Sequence, residues 1–98
     1  MDKIILTKPK GGDKKLKVQI GNRSIGFGAK GYSDYTKSKS DTKKNSYIAR
    51  HKVNENWNKS GIKSAGFWSK HLLWNKKTLD QSIKDTEKRF NIDIVKKF

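Results

Sequence analysis

Ninety-eight residues make one small domain, and at that length about two thirds of the unfolded surface can be buried, so the core has few residues to spare. Only 32% of the residues are hydrophobic, but three Trp, four Phe and three Tyr, at about 150–250 Å² each, make a small core feasible. Twenty-four Lys and Arg against nine Asp and Glu give a formal charge of +15, while the absence of cysteine excludes disulfides and thiolate metal sites.

Ile4, Ile5 and Leu6 form an apolar run ended by Pro9 and Gly11-Gly12, which reads as a first strand and a turn. Leu16, Val18 and Ile20 then alternate with Lys17 and Gln19, the period of a strand with one buried face. Gly21-Asn22 reads as a two-residue hairpin turn, followed by a second alternation of Ile25, Phe27 and Ala29 with small residues. The first third, residues 3–29, is therefore expected to be an antiparallel meander.

The stretch GYSDYTKSKS, residues 31–40, reads as a loop by composition, and Ser40 or Asp41 can cap a helix running to about Lys52, with Tyr47, Ile48 and His51 on one side. NENWNKSGIK is irregular and anchored by Trp57 and Ile62, after which a second helix is expected from Ser64 to Trp74. Thr78 and Gln81 make a T-x-x-Q capping box for a third helix. Leu79, Ile83, Thr86 and Phe90 form its apolar stripe, Asp80–Lys84 and Asp85–Arg89 its supporting pairs, and Asn91 closes it. Ile92, Ile94 and Val95 suggest a last strand returning to the sheet. The expected fold is α+β: one basic domain over residues 1–98, ordered over about 3–95, in which a small antiparallel β-sheet packs with about three helices.

The segment SAGFWSKHLLWN, residues 64–75, concentrates Phe67, Trp68, Leu72, Leu73 and Trp74 in a chain otherwise rich in charge. At about 100° per residue its apolar side chains cover most of the helix circumference, the pattern of a helix buried between other elements. It is therefore read as core. The rings available for stacking on bases are instead Tyr32, Tyr35 and Trp57, which stand in polar segments among lysines.

GFGAKG, residues 26–31, matches G-x-G-x-x-G, but YSDYTKSKS follows where a dinucleotide fold would open a helix. The glycines are read as bends and turns. His51 and His71 are the only histidines, and no carboxylate–histidine set stands at a metal-ligand spacing. No metal site, no cofactor and no enzymatic activity are expected.

The basic residues crowd the middle of the chain, where Lys30, Lys37, Lys39, Lys43, Lys44, Arg50, Lys52, Lys59 and Lys63 are the candidates for contact with phosphate. Lysines outnumber arginines 21 to 3, which favours sequence-blind backbone contact, because Arg is the residue that reads guanine edges bidentately. The third helix, with Asp80, Asp85 and Glu87 beside Lys84, Lys88 and Arg89, is nearly neutral.

The blocks FGAKGYSDYT (27–36), YIARH (47–51), ENW (55–57), AGFWSKHLLWNK (65–76) and TLDQSIKDTEKRF (78–90) resemble a family of short basic proteins of unassigned function encoded by large nucleocytoplasmic DNA viruses. The resemblance covers roughly residues 15–90. Members commonly carry Pro where Lys77 stands and Arg-Trp where Lys70-His71 stands, so neither position is a fixed functional residue. The resemblance implies a viral origin, use in a virus factory of the host cytoplasm or packaging in the virion, and no established enzymatic activity; it supplies no site residues.

These readings converge on a non-specific nucleic-acid-binding protein, DNA before RNA, that coats or condenses a viral genome through a lysine-rich surface. The rival is an assembly protein that binds an acidic viral or host protein through the same charge, and a homodimer is left open. No membrane partner is expected, and the chain is read as soluble and intracellular because no apolar run approaches the length of a span or a signal h-region.

Overall fold

The computed structural model describes residues 2–98. Its sheet comprises β1 (Asp2–Thr7), β2 (Lys14–Ile20), β3 (Arg23–Ala29) and β4 (Ile92–Lys96), in the order β3-β2-β1-β4. The hairpin between β2 and β3 turns at Gly21, whose φ of +57° suits a residue without a Cβ, and it pairs Ile20 with Arg23. β1 and β2 are antiparallel, as the meander requires. The fourth strand departs from the expected antiparallel sheet: it runs parallel to β1, from Asp2 opposite Ile92 to Leu6 opposite Lys96. β2 already occupies one edge of β1, so the returning chain adds at the other edge, in the direction set by the helix before it.

The polar stretch after β3 is not wholly a loop, because Asp34 caps a single helical turn, α1 (Tyr35–Ser38), by accepting from the Thr36 amide at 2.9 Å. α2 (Asp41–His51) follows, with the Ser40 hydroxyl accepting from the Lys43 amide. A 3-10 turn at Lys59–Gly61 leads into α3 (Ala65–Trp68), which Ser64 caps. The expected single helix 64–74 changes pitch part-way: Ser69–Leu73 is a π-turn, closed by the Trp74 amide donating to the Ser69 carbonyl. The wider turn lets His71, Leu72 and Leu73 all face inward beside Phe67 and Trp68. α4 (Leu79–Phe90) has Thr78 as N-cap and Asn91 in the left-handed region, φ +54°, as C-cap.

The core is what the strand alternation places on one face of the sheet, Ile4, Leu6, Leu16, Val18, Ile25, Phe27, Ile92 and Ile94, packed against Phe67, Trp68, Leu72, Leu73 and Ile83. Trp68 is fully buried, and its indole N–H donates to the Ile62 carbonyl at 2.7 Å. The read of this segment as core is therefore correct. The other sheet face is open and carries half-buried Ile5, Thr7, Lys17, Gln19 and Val95. On α4, Asp85 pairs with Arg89 at 3.2 Å as expected, whereas Asp80 reaches across to Lys96 at 3.0 Å in place of Lys84. No helix among the described residues is long and apolar enough to cross a membrane.

Candidate nucleic-acid interface

The end of β3 and the loop after it are held by a close backbone approach and an ion pair. Gly28 has φ +74°, and a Cβ there would stand 2.6 Å from Leu73 Cδ1 and 3.3 Å from Lys15, so only glycine lets β3 pass this close to the π-turn. The bend brings Lys15 against Asp34, whose carboxylate accepts from Lys15 Nζ at 2.6 Å. Asp34, 2% exposed, also takes bonds from the Thr36 amide and hydroxyl. A buried carboxylate is tolerated only when it is paired in this way.

Two cavities abut at this ion pair. The first, about 280 Å³, lies among Lys8, Lys15, Lys30 and Lys37, with Leu16, Leu73, Leu79 and Phe98 as its apolar lining. Asp34 is its one acidic side chain. The second, about 310 Å³, shares Lys15, Asp34 and Leu73 with the first and opens between Tyr32, Arg50 and an aromatic stack. In that stack Tyr47 lies parallel to Trp74, with ring centroids 4.6 Å apart and planes 4° apart, and on its own helix it meets His51, four residues on, at 4.3 Å. Burial raises the Tyr47 phenol pKa, the largest of its perturbations.

The nine predicted phosphate contacts do not form one patch. Lys30 and Lys37 flank the first cavity and Arg50 the second. Lys63 instead lines a broad concavity of about 670 Å³ with Arg23 at the β2–β3 hairpin. Lys43, Lys52 and Lys59 are exposed and border none of these hollows. Two lysines have structural duties: Lys39 donates to the Thr36 and Lys77 carbonyls, and Lys44 to the Asn75 carbonyl at 2.6 Å while lying 4.9 Å from the centre of the Tyr35 ring. These bonds tie α1 and α2 to the segment before α4.

The three candidate stacking rings divide as well. Tyr32 is 73% exposed at the second cavity. Tyr35 is corrected to a packing residue: it is 5% exposed and its hydroxyl donates to Asp41, a bond that raises the phenol pKa. Trp57 is half-buried, with Lys70 Nζ 5.6 Å from its ring centre, and burial lowers the Lys70 pKa. Sequence reasoning did not single out Lys8, Lys15, Asp34 or the Tyr47–Trp74 stack, which line these two cavities. The Gly26–Gly31 motif was the signal available for Lys15, because a bend there is what admits it.

A model described as a family of unknown function, DUF5754, matches residues 4–51. That span runs from β1 to the end of α2. It includes Lys8, Lys15, Lys30, Tyr32, Asp34, Lys37, Tyr47 and Arg50, so most of the wall of both cavities lies in the matched half, while Leu73, Trp74 and Phe98 come from the remainder. No curated protein and no solved structure matches the chain.

Proposed function

We propose that this protein binds nucleic acid through the phosphate backbone, without sequence preference and without cleaving it, DNA before RNA, and so coats or condenses a viral genome. The observation that carries the reading is the convergence of Lys8, Lys15, Lys30 and Lys37 on one cavity whose one acidic side chain is already paired, in a chain of net charge +15. Such a site concentrates positive potential at a concave, partly apolar surface, where a phosphate gains more than on an open face. Lysine supplies point charge without bidentate base reading, which matches sequence-blind contact. Placement in a virus factory or virion rests on the resemblance to viral proteins set out above.

The test is fluorescence anisotropy with random duplex and random single strand over a range of salt. The logarithm of affinity should fall linearly with the logarithm of salt, with a slope of about −0.9 per phosphate contacted on duplex and about −0.7 on single strand. Replacing Lys8, Lys30 and Lys37 by Gln should weaken binding to all sequences alike and flatten the slope. Lys39 and Lys44 are left intact because each bonds a backbone carbonyl in the segment before α4. Absence of binding to either strand form at about 50 mM salt, or an unchanged slope in the triple variant, would transfer the charge to an acidic protein partner.

A further inference from the structure

The open face of the sheet offers no ring to a nucleic acid: the one aromatic in the strands among the described residues, Phe27, is buried on the opposite face. The rings are gathered elsewhere. Tyr32, Tyr47 and Trp74 line the second cavity, and that cavity adjoins the lysine-rimmed first, with Lys15, Asp34 and Leu73 lining both. We infer that the two cavities together form a single-strand site, in which a backbone phosphate sits in the first and an unpaired base enters the second.

The chemistry of each cavity suits one half of a nucleotide. The first offers the ammonium groups of Lys8, Lys30 and Lys37 in addition to the paired Lys15. The one acidic side chain of that lining, Asp34, is already bonded to Lys15 and to the Thr36 amide and hydroxyl, so it does little to oppose a phosphate there. The second offers planar surfaces and mixed polar groups: the exposed Tyr32 ring, the edge of the parallel Tyr47–Trp74 stack, the Arg50 guanidinium, and the hydroxyls of Ser33 and Ser69. A base has a π-face for the first set and donors and acceptors for the second, and any base satisfies them, as expected of sequence-tolerant stacking.

Duplex is the poorer fit. Its bases are paired and stacked inward, so it could present phosphates to the first cavity but nothing to the second, whereas a single strand fills both. Because the cavities share three lining residues, adjoining phosphate and base can reach them together. The inference rests on the nucleic-acid reading above and adds to it the strand form and the place of the base.

Anisotropy titrations at one salt concentration would compare oligo(dT), an abasic deoxyribose-phosphate oligomer of the same length and charge, and a duplex. Oligo(dT) should bind about tenfold or more tighter than the abasic chain. Tyr32→Ala, at a position exposed enough to leave folding intact, should erase most of that margin without altering abasic binding, while Tyr32→Phe should retain it. Lys30→Gln with Lys37→Gln should weaken both chains equally. Equal affinity for oligo(dT) and the abasic chain, tighter binding of duplex, or a margin that survives Tyr32→Ala would overturn the single-strand site and leave phosphate binding standing. Failure of all three probes to bind would overturn the nucleic-acid reading itself.

Discussion

Acid should unfold this protein partly through one buried imidazole, that of His71, which is 2% exposed. Its Nε2–H donates to the Trp57 carbonyl at 2.9 Å, which fixes the tautomer and leaves Nδ1 as a buried lone pair without a partner. The ring is flanked by Phe67 and Phe90, at centroid distances of 4.5 and 4.8 Å. Protonation would place a cation in that apolar setting. Burial is the main reason the pKa is held down to about 4; Lys70 and Arg89 push the same way, and the Trp57 carbonyl and Asp85 push against it. Since the unfolded chain binds the proton at about pH 6.5 and the folded chain only near 4, the unfolded state carries more protons in between, and stability must fall as pH falls through that window. The full difference is about 3 kcal/mol, of which about 2 should be lost by pH 5. Against a total of about 5–15 kcal/mol for a small domain, that is a large fraction. Urea unfolding at intervals from pH 7 to pH 4.5 should show the decline, and His71→Gln should flatten it. NMR titration in a His51→Gln background, where one imidazole remains, should give a midpoint near pH 4. A midpoint at 6 or above, or a wild-type decline matched by His71→Gln, would refute the assignment of His71 as a buried neutral ring.

Trp68→Ala should cost about 3–5 kcal/mol, measured by urea unfolding, because it empties the centre of the core and removes the bond to the Ile62 carbonyl. A stably folded Trp68→Ala protein that has lost nucleic-acid binding would instead make this ring part of the site. Charge reversal at Lys84 or Lys88, exposed on α4 and outside both cavities, should change affinity for oligonucleotides by less than about tenfold. A larger loss in anisotropy would put the binding face on α4.

The elements were legible where local rules act alone. Strand alternation gave β2 and β3, the Thr78 and Ser40 hydroxyls cap the helices they were expected to cap, and Asn91 closes α4 in the left-handed conformation. Tertiary contact decided the rest. The direction of β4 depends on which edge of β1 is free, and no periodicity carries that. The π-turn at Ser69–Leu73 is invisible on a wheel drawn at constant pitch, although the breadth of the apolar arc was its symptom: more residues face inward than a uniform helix can bury. Asp34, one acidic residue in a polar stretch, gives no sign in sequence that it will be buried by Lys15, nineteen positions away.

The same reasoning explains why the candidate lysines divide among separate places in the fold. In a chain with this many lysines and so small a core, the ammonium group is the donor most often within reach of a carbonyl left over at a turn or helix end. Lys39 and Lys44 serve the carbonyls of Lys77 and Asn75 just before α4, Lys96 is held by Asp80, and Lys15 neutralises the carboxylate that caps α1. Each remains a positive charge and contributes to the long-range field that draws a polyanion in. Lys15 and Lys44 are the least free to follow a phosphate, because leaving would strand the buried Asp34 carboxylate or the part-buried Asn75 carbonyl, whereas the bonds of Lys39 and Lys96 are exposed and water can replace them. On the nucleic-acid reading proposed above, net charge would set how strongly the polyanion is attracted from a distance, while the number of counterions released would be set by the smaller group of lysines, Lys8, Lys30 and Lys37 among them, whose ammonium groups have no internal duty among the described residues.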